Sequence, residues 1–146
     1  MSDKLSIDTR RLRAALAAKM AAKRAQKKMS QAALAKAVGM TRAYIGKVES
    51  SGTNVSLDTL ERIRVVLWLG GENPERYKDS IARGVLEARA NGVSQERLAE
   101  IARVSVPYVS AVERALTNTS LDQIEQLADA LKVDPLEWFD FGDLDD

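Results

Sequence analysis

Ser30-Gln31-Ala32-Ala33-Leu34-Ala35-Lys36-Ala37-Val38-Gly39-Met40-Thr41-Arg42-Ala43-Tyr44-Ile45-Gly46-Lys47-Val48-Glu49 is the stretch whose reading decides the fold. It fits two short helices, Gln31–Val38 and Arg42–Glu49. Ser30 can cap the first and Thr41 the second, because a hydroxyl there accepts from an otherwise unpaired backbone N–H. Gly39 offers the positive φ that a tight turn between helices needs. Leu34 and Val38 supply an apolar side that Ile45 and Val48 can face, and Ala35 is small where the two helices cross. This is the spacing of a helix-turn-helix. The outer face of its second helix is left free, and a major groove admits one helix.

The same text returns 64 residues later. Residues 30–67 and 94–131 align without a gap and share 14 of 38 positions. Ser30, Gln31, Leu34, Ala35, Tyr44, Val48, Glu49, Thr53, Asn54, Ser56, Leu57, Asp58, Glu61 and Leu67 recur as Ser94, Gln95, Leu98, Ala99, Tyr108, Val112, Glu113, Thr117, Asn118, Ser120, Leu121, Asp122, Glu125 and Leu131. A repeated unit is a folding unit. The repeat therefore divides the chain into residues 1–70 and residues 71–146, each at about 70 residues able to bury a modest core.

Charge separates the halves further. Residues 1–70 hold 14 Lys+Arg and 5 Asp+Glu, a balance of +9, and residues 71–146 hold 8 and 16, a balance of −8. The near-neutral total of +1 conceals this asymmetry. It points to a polyanion as partner of the first half. The chain has no cysteine and no histidine, which removes disulfides and the usual residue of metal and general acid–base sites. No phosphate-cradling glycine loop appears, and the aspartates of the tail do not follow a calcium-loop pattern. The expectation is no enzyme, no catalytic residue, no cofactor and no metal. No apolar run has the length of a bilayer span and no leader pattern opens the chain, so a cytoplasmic protein without a membrane partner is expected.

Around the core stretch the pattern is all helical. Met1–Ile7 reads as a short flexible arm, with Asp8 capping a helix that runs to about Lys28. Leu12, Leu16 and Met20 mark its buried face, and Lys23 and Lys27 are among the many cations on its other faces. Ser56 caps a fourth helix to about Leu69, ending in the surplus apolar residues Val66, Trp68 and Leu69. Gly70–Pro74 is the linker. In the second half, helices are expected at about Glu75–Ala90, with Tyr77, Ile81, Val85 and Leu86 buried, then at Gln95–Ala102, Val106–Arg114 and Leu121–Leu131. Ser120 and Gln123 form a capping box. The tail from Trp138 onward mixes acids with aromatics and is expected to be disordered or docked. The fold class is all-α: two tandem bundles of four or five helices, each containing a helix-turn-helix.

The segments Ser30-Gln31-x-x-Leu34-Ala35-x-x-Val38-Gly39-Met40-Thr41, Ile45-x-x-Val48-Glu49 and Ser56-Leu57-x-x-Leu60 resemble the Xre/lambda-repressor-like helix-turn-helix family of bacteria and phages. The likeness covers about residues 10–69 and again about 76–138. It implies a DNA-binding transcription regulator. By that resemblance Arg42, Ala43 and Lys47 read bases; an arginine can pair with guanine O6 and N7 and an alanine can touch a thymine methyl. Gln31, Thr41, Tyr44, Thr53 and Asn54 are expected on the phosphate backbone together with Lys23 and Lys27, positioning the module without reading sequence. Arg24 and Glu49 are expected to form a structural ion pair holding the first helix against the third. A homodimer on double-stranded DNA is the family's implied assembly.

The second copy departs from this pattern where the reading is done. Arg103 stands in place of Gly39, and Val106, Pro107 and Ala111 stand in place of Arg42, Ala43 and Lys47. Neither Val106 nor Pro107 has a side chain that hydrogen-bonds a base edge. Gln95, Ser110, Arg114 and Asn118 are left as possible backbone contacts. The apolar tip Val106-Pro107-Tyr108 suggests a surface for a protein partner, and the acidic–aromatic tail offers a contact for RNA polymerase or another regulator through residues 71–146. The alternative function is a protein-interaction regulator (antiactivator, antitoxin or DNA mimic) that keeps the fold without the reading.

Overall fold

In the computed structural model, residues 2–50, 53–67 and 75–139 are described, with side chains from residue 11 onward. Eight helices lie within them: α1 (Ser2–Gln26), α2 (Gln31–Val38), α3 (Arg42–Glu49), α4 (Leu57–Leu67), α5 (Tyr77–Arg89), α6 (Gln95–Ala102), α7 (Val106–Glu113) and α8 (Leu121–Leu131). A 3-10 turn, Pro135–Trp138, follows. Among the described residues the only strand-like pairing is an isolated antiparallel bridge between Ser56 and Ser120. The fold is all-α.

Local chemistry sets the helix ends. Ser30, Thr41, Ser94 and Ser105 each accept from the backbone N–H three residues on, at 3.0 to 3.1 Å. Gly39 closes α2 at φ 73°, and Arg103 closes α6 at φ 61°. Leu12, Leu16 and Met20 are buried, as are Leu34, Ala35, Val38, Ile45 and Val48. α2 packs on α3 and α6 on α7, while α1 lies against both α3 and α8. One apolar cluster runs through both halves.

Three details differ from the sequence reading, and a fourth decides an alternative it left open. The first helix begins at Ser2 rather than after Asp8: no glycine or proline interrupts residues 2–9, so the expected arm continues the helix. Leu86 is exposed, because Tyr77, Ile81, Ala82 and Val85 already fill the buried face of α5. The capping box is half made. Ser120 accepts from Gln123 N at 3.4 Å, but the Gln123 side chain turns to the Thr119 hydroxyl. Trp138 and Phe139 are buried. Trp138 seats where a Cβ on Gly84 would fall 2.2 Å from the indole, Ser80 Oγ donates to the Trp138 carbonyl at 2.6 Å, and Phe139 meets Tyr77 edge-on at 5.1 Å. The rest of the tail, like Trp68, Leu69 and the linker Gly70–Pro74, lies outside the described residues. Val66 is half-buried on the core.

Candidate nucleic-acid interface

α3 is held from behind, and its front is open. Ile45 and Val48 bury one side of the helix. At its end, Arg24 from α1 grips Glu49 with two parallel bonds, Nε to Oε2 at 2.7 Å and an Nη to Oε1 at 2.9 Å. Another Nη of Arg24 donates to the Met29 carbonyl at 2.7 Å, and Gln31 Nε2 donates to Glu49 Oε1 at 2.9 Å. Burial pushes the Glu49 carboxyl up, but the bonds from Arg24 and Gln31 outweigh it and hold its pKa below the usual value. Arg24 and Glu49 thus join α1 to α3. The donor of Gln31, expected to reach a phosphate, is in this structure engaged by Glu49.

On the front of α3, Arg42, Ala43 and Lys47 are exposed. Neither Arg42 nor Lys47 forms an ion pair among the described residues. Thr41, Ala43, Tyr44, Lys47, Thr53 and Asn54 line one open surface groove together with Arg13 of α1. Arg42 sits at the exposed start of the same helix. Thr41 Oγ is occupied as the cap of α3. Lys27 is exposed beyond the end of α1, and Lys23 is half-buried and has a partner of its own.

The second copy repeats the support and changes the front. Arg89 grips Glu113 with Nε at 2.5 Å and an Nη at 2.9 Å, Gln95 donates to Glu113 at 2.8 Å, and Arg89 also donates to the Val93 carbonyl. In place of Arg42 and Ala43 stand half-buried Val106 and exposed Pro107. Tyr108 is half-buried, with its hydroxyl bonded to Thr119. The tip expected to meet a partner is therefore largely packed on its own core. The more exposed apolar side chain nearby is Leu116, at 65%.

The sequence reading missed a seam between the halves. Leu57 N donates to the Thr119 carbonyl at 2.8 Å, and Leu121 N to the Val55 carbonyl at 3.0 Å. Asn118 Oδ1 caps the N–H of Asp58 at 2.9 Å, and Asn54 Oδ1 caps that of Asp122 at 3.0 Å. Lys78 pairs with Asp58, and Arg13 with Asp122. Tyr77 N donates to Glu61 at 2.9 Å, and Leu12 N to Glu125 at 2.7 Å. Each helix start that Ser56 or Ser120 caps is thus finished by a residue of the other half.

A helix-turn-helix family model matches residues 20–67 and 86–138, more than half of the chain and once in each half. The chain is a helix-turn-helix protein of the Xre/lambda-repressor-like family. Among relatives of this helix-turn-helix protein is the control protein C.BamHI of Bacillus amyloliquefaciens, 41% identical over 51 residues. The match covers 35% of this chain and 63% of that protein, so under two thirds of the relative's length. No solved structure matches. No described helix is long and apolar enough to cross a membrane.

Proposed function

We propose that this protein is a DNA-binding transcription regulator that reads a specific duplex sequence through the first half alone, with Arg42, Ala43 and Lys47 in the major groove. The observation that carries this reading is the open front of α3. It holds two exposed cations without ion pairs among the described residues, where α7 holds Val106, Pro107 and Ala111. Arg42 pairs with a guanine, Ala43 contacts a thymine methyl, and Lys47 reaches a base or the adjacent phosphate. Tyr44, Thr53 and Asn54 border this surface and set its register on the backbone, with exposed Lys27 as a further phosphate contact. Residues 71–146 serve as the second arm of the molecule rather than as a second reader.

The test is selection of bound duplexes from a random pool by the full chain and by Arg42→Ala. An enriched motif for the parent, lost or shortened at one guanine in the variant, is expected. Enrichment of the same motif by both proteins contradicts the assignment of Arg42. No enrichment by the parent overturns sequence-specific reading altogether, and turns the search to a protein partner.

A further inference from the structure

The seam has the form of a symmetric dimer interface, closed inside one chain. In an isologous contact between two copies, if residue i of one meets j of the other, then j of the first meets i of the second. Here that rule holds between halves. Val55 matches Thr119, Leu57 matches Leu121, Asn54 matches Asn118 and Asp58 matches Asp122 in the repeat. The bonds Leu57 to Thr119 and Leu121 to Val55 are therefore images of one another. So are Asp58 to Asn118 and Asp122 to Asn54. The ion pairs Arg24–Glu49 and Arg89–Glu113 set α1 and α5 in register 65 apart. In that register Lys78–Asp58 mirrors Arg13–Asp122, and Tyr77 N to Glu61 mirrors Leu12 N to Glu125. The Ser56–Ser120 bridge lies on the axis.

Resting on the reading of α3 above, we infer that a single chain occupies a two-part operator by itself: α3 reads one half-site, and α7 lies on the neighbouring stretch without reading it. This seam, with the form of a dimer contact, is consumed within the chain, since Val55, Leu57, Thr119 and Leu121 are buried. The groove of α3 reaches the seam through Arg13 and Asn54, so its two-fold image beside α7 flanks the seam from the other side. Two-fold-related helix-turn-helix modules meet half-sites about one helical turn apart. The front of α7 fits a phosphate backbone although its half is acidic. Exposed Arg103 and Arg114 bracket the helix, and its one carboxylate, Glu113, is tied to Arg89. The ligand is thus a duplex with one specified half-site and, to one side, a turn of unspecified sequence.

Two measurements on the full chain test this. On the selected duplex, native mass spectrometry is expected to find one 16.0 kDa chain per duplex. Hydroxyl-radical footprinting is expected to show protection about one turn (10 bp) beyond the motif, on one side only. Two chains on an inverted repeat, or protection confined to the motif, overturns the inference. Independently of DNA, the chain has no cysteine, so Ser56→Cys with Ser120→Cys introduces a lone pair. The flanking bonds make this a non-hydrogen-bonded antiparallel pair, whose Cα separation of roughly 4.5 Å suits a disulfide. Oxidation is expected to cross-link the chain at monomer mass. A cross-linked dimer shows that the seam forms between chains, and overturns the inference. If no motif is ever selected, the reading of α3 fails and this inference fails with it, while a monomeric cross-link still identifies the internal seam as real.

Discussion

The two halves share a skeleton and differ in their working face, and the difference sorts their residues into two kinds. Arg24, Gln31 and Glu49 on one side and Arg89, Gln95 and Glu113 on the other make the same network at nearly the same distances. The seam residues Asn54, Asp58 and Glu61 are matched by Asn118, Asp122 and Glu125. What changes is the front of the recognition helix, where Arg42, Ala43 and Lys47 give way to Val106, Pro107 and Ala111. On the proposed reading, retained support and an altered front keep two arms in one frame and leave a single reader.

The comparison breaks most visibly at the supporting ion pairs. Glu49 and Glu113 are nearly buried, with 7% and 5% of their side chains exposed. Removing one partner of such a pair costs about 3–5 kcal/mol. Arg24→Ala and Arg89→Ala are expected to lower stability by this much and by similar amounts, read from urea midpoints. Unequal losses show that the halves lean on their networks differently.

A second break lies inside the seam. Glu61 is bonded by Arg64 at 2.5 Å, and Arg64 also lies over the Tyr77 ring at 5.5 Å. The matching Glu125 has Ala128 at that place. Its Oε2 is buried without a hydrogen-bond partner among the described residues, and it faces Asp129 and Asp122 as well as Arg11. Burial first, then these carboxylates, push its pKa from 4.5 to about 7 against the bond from Leu12 N. The folded chain therefore holds a proton that the unfolded chain has released. Stability is expected to fall as pH rises from about 4.5 to 7 and to level off above, by on the order of 3 kcal/mol from this group. Glu125→Gln keeps the acceptor for Leu12 and is expected to flatten that slope and stabilise the protein at pH 8. Glu61→Gln is expected to destabilise it by stranding Arg64.

The working faces separate next. Arg42→Ala is expected to cost about 1–3 kcal/mol on the selected duplex and far less on random DNA, measured by fluorescence anisotropy at two salt concentrations. Val106→Ala is expected to leave both affinities unchanged. Within the seam, Asn54→Ala and Asn118→Ala each remove a bond to a helix start, worth about 1 kcal/mol of stability. Of the two, Asn54→Ala is expected to weaken DNA binding more. The smallest effect is at the turn. Arg103 holds φ 61° where Gly39 holds 73°, so Arg103→Gly is expected to raise stability by up to about 1 kcal/mol, and Gly39→Ala to lower it.

Much of this was legible in the sequence. The ranges of α2, α3 and α6 follow from serine or threonine caps, and that of α2 also from the left-handed position that Gly39 offers after it. The Arg24–Glu49 contact followed from the family resemblance. The seam was not legible, although its residues were in plain view. Asn54, Ser56, Asp58 and Glu61 are polar residues identical in both copies, and their retention has no explanation inside one half. Periodicity reports which face of a helix is buried, not against which half, so the docking of α1 on α8 left no mark in it. The seat of Trp138 was not legible for a similar reason. Its socket is the absence of a side chain at Gly84, in a helix otherwise favourable throughout.

The most direct test of a single reader in a two-armed frame is to give the second arm the first arm's face. Val106→Arg, Pro107→Ala and Ala111→Lys together, with the helical circular dichroism of the parent retained, should change the selected motif from a one-sided sequence to an inverted repeat with half-sites about one turn apart. An unchanged one-sided motif at full affinity means that α7 does not lie on the duplex, and contradicts the account.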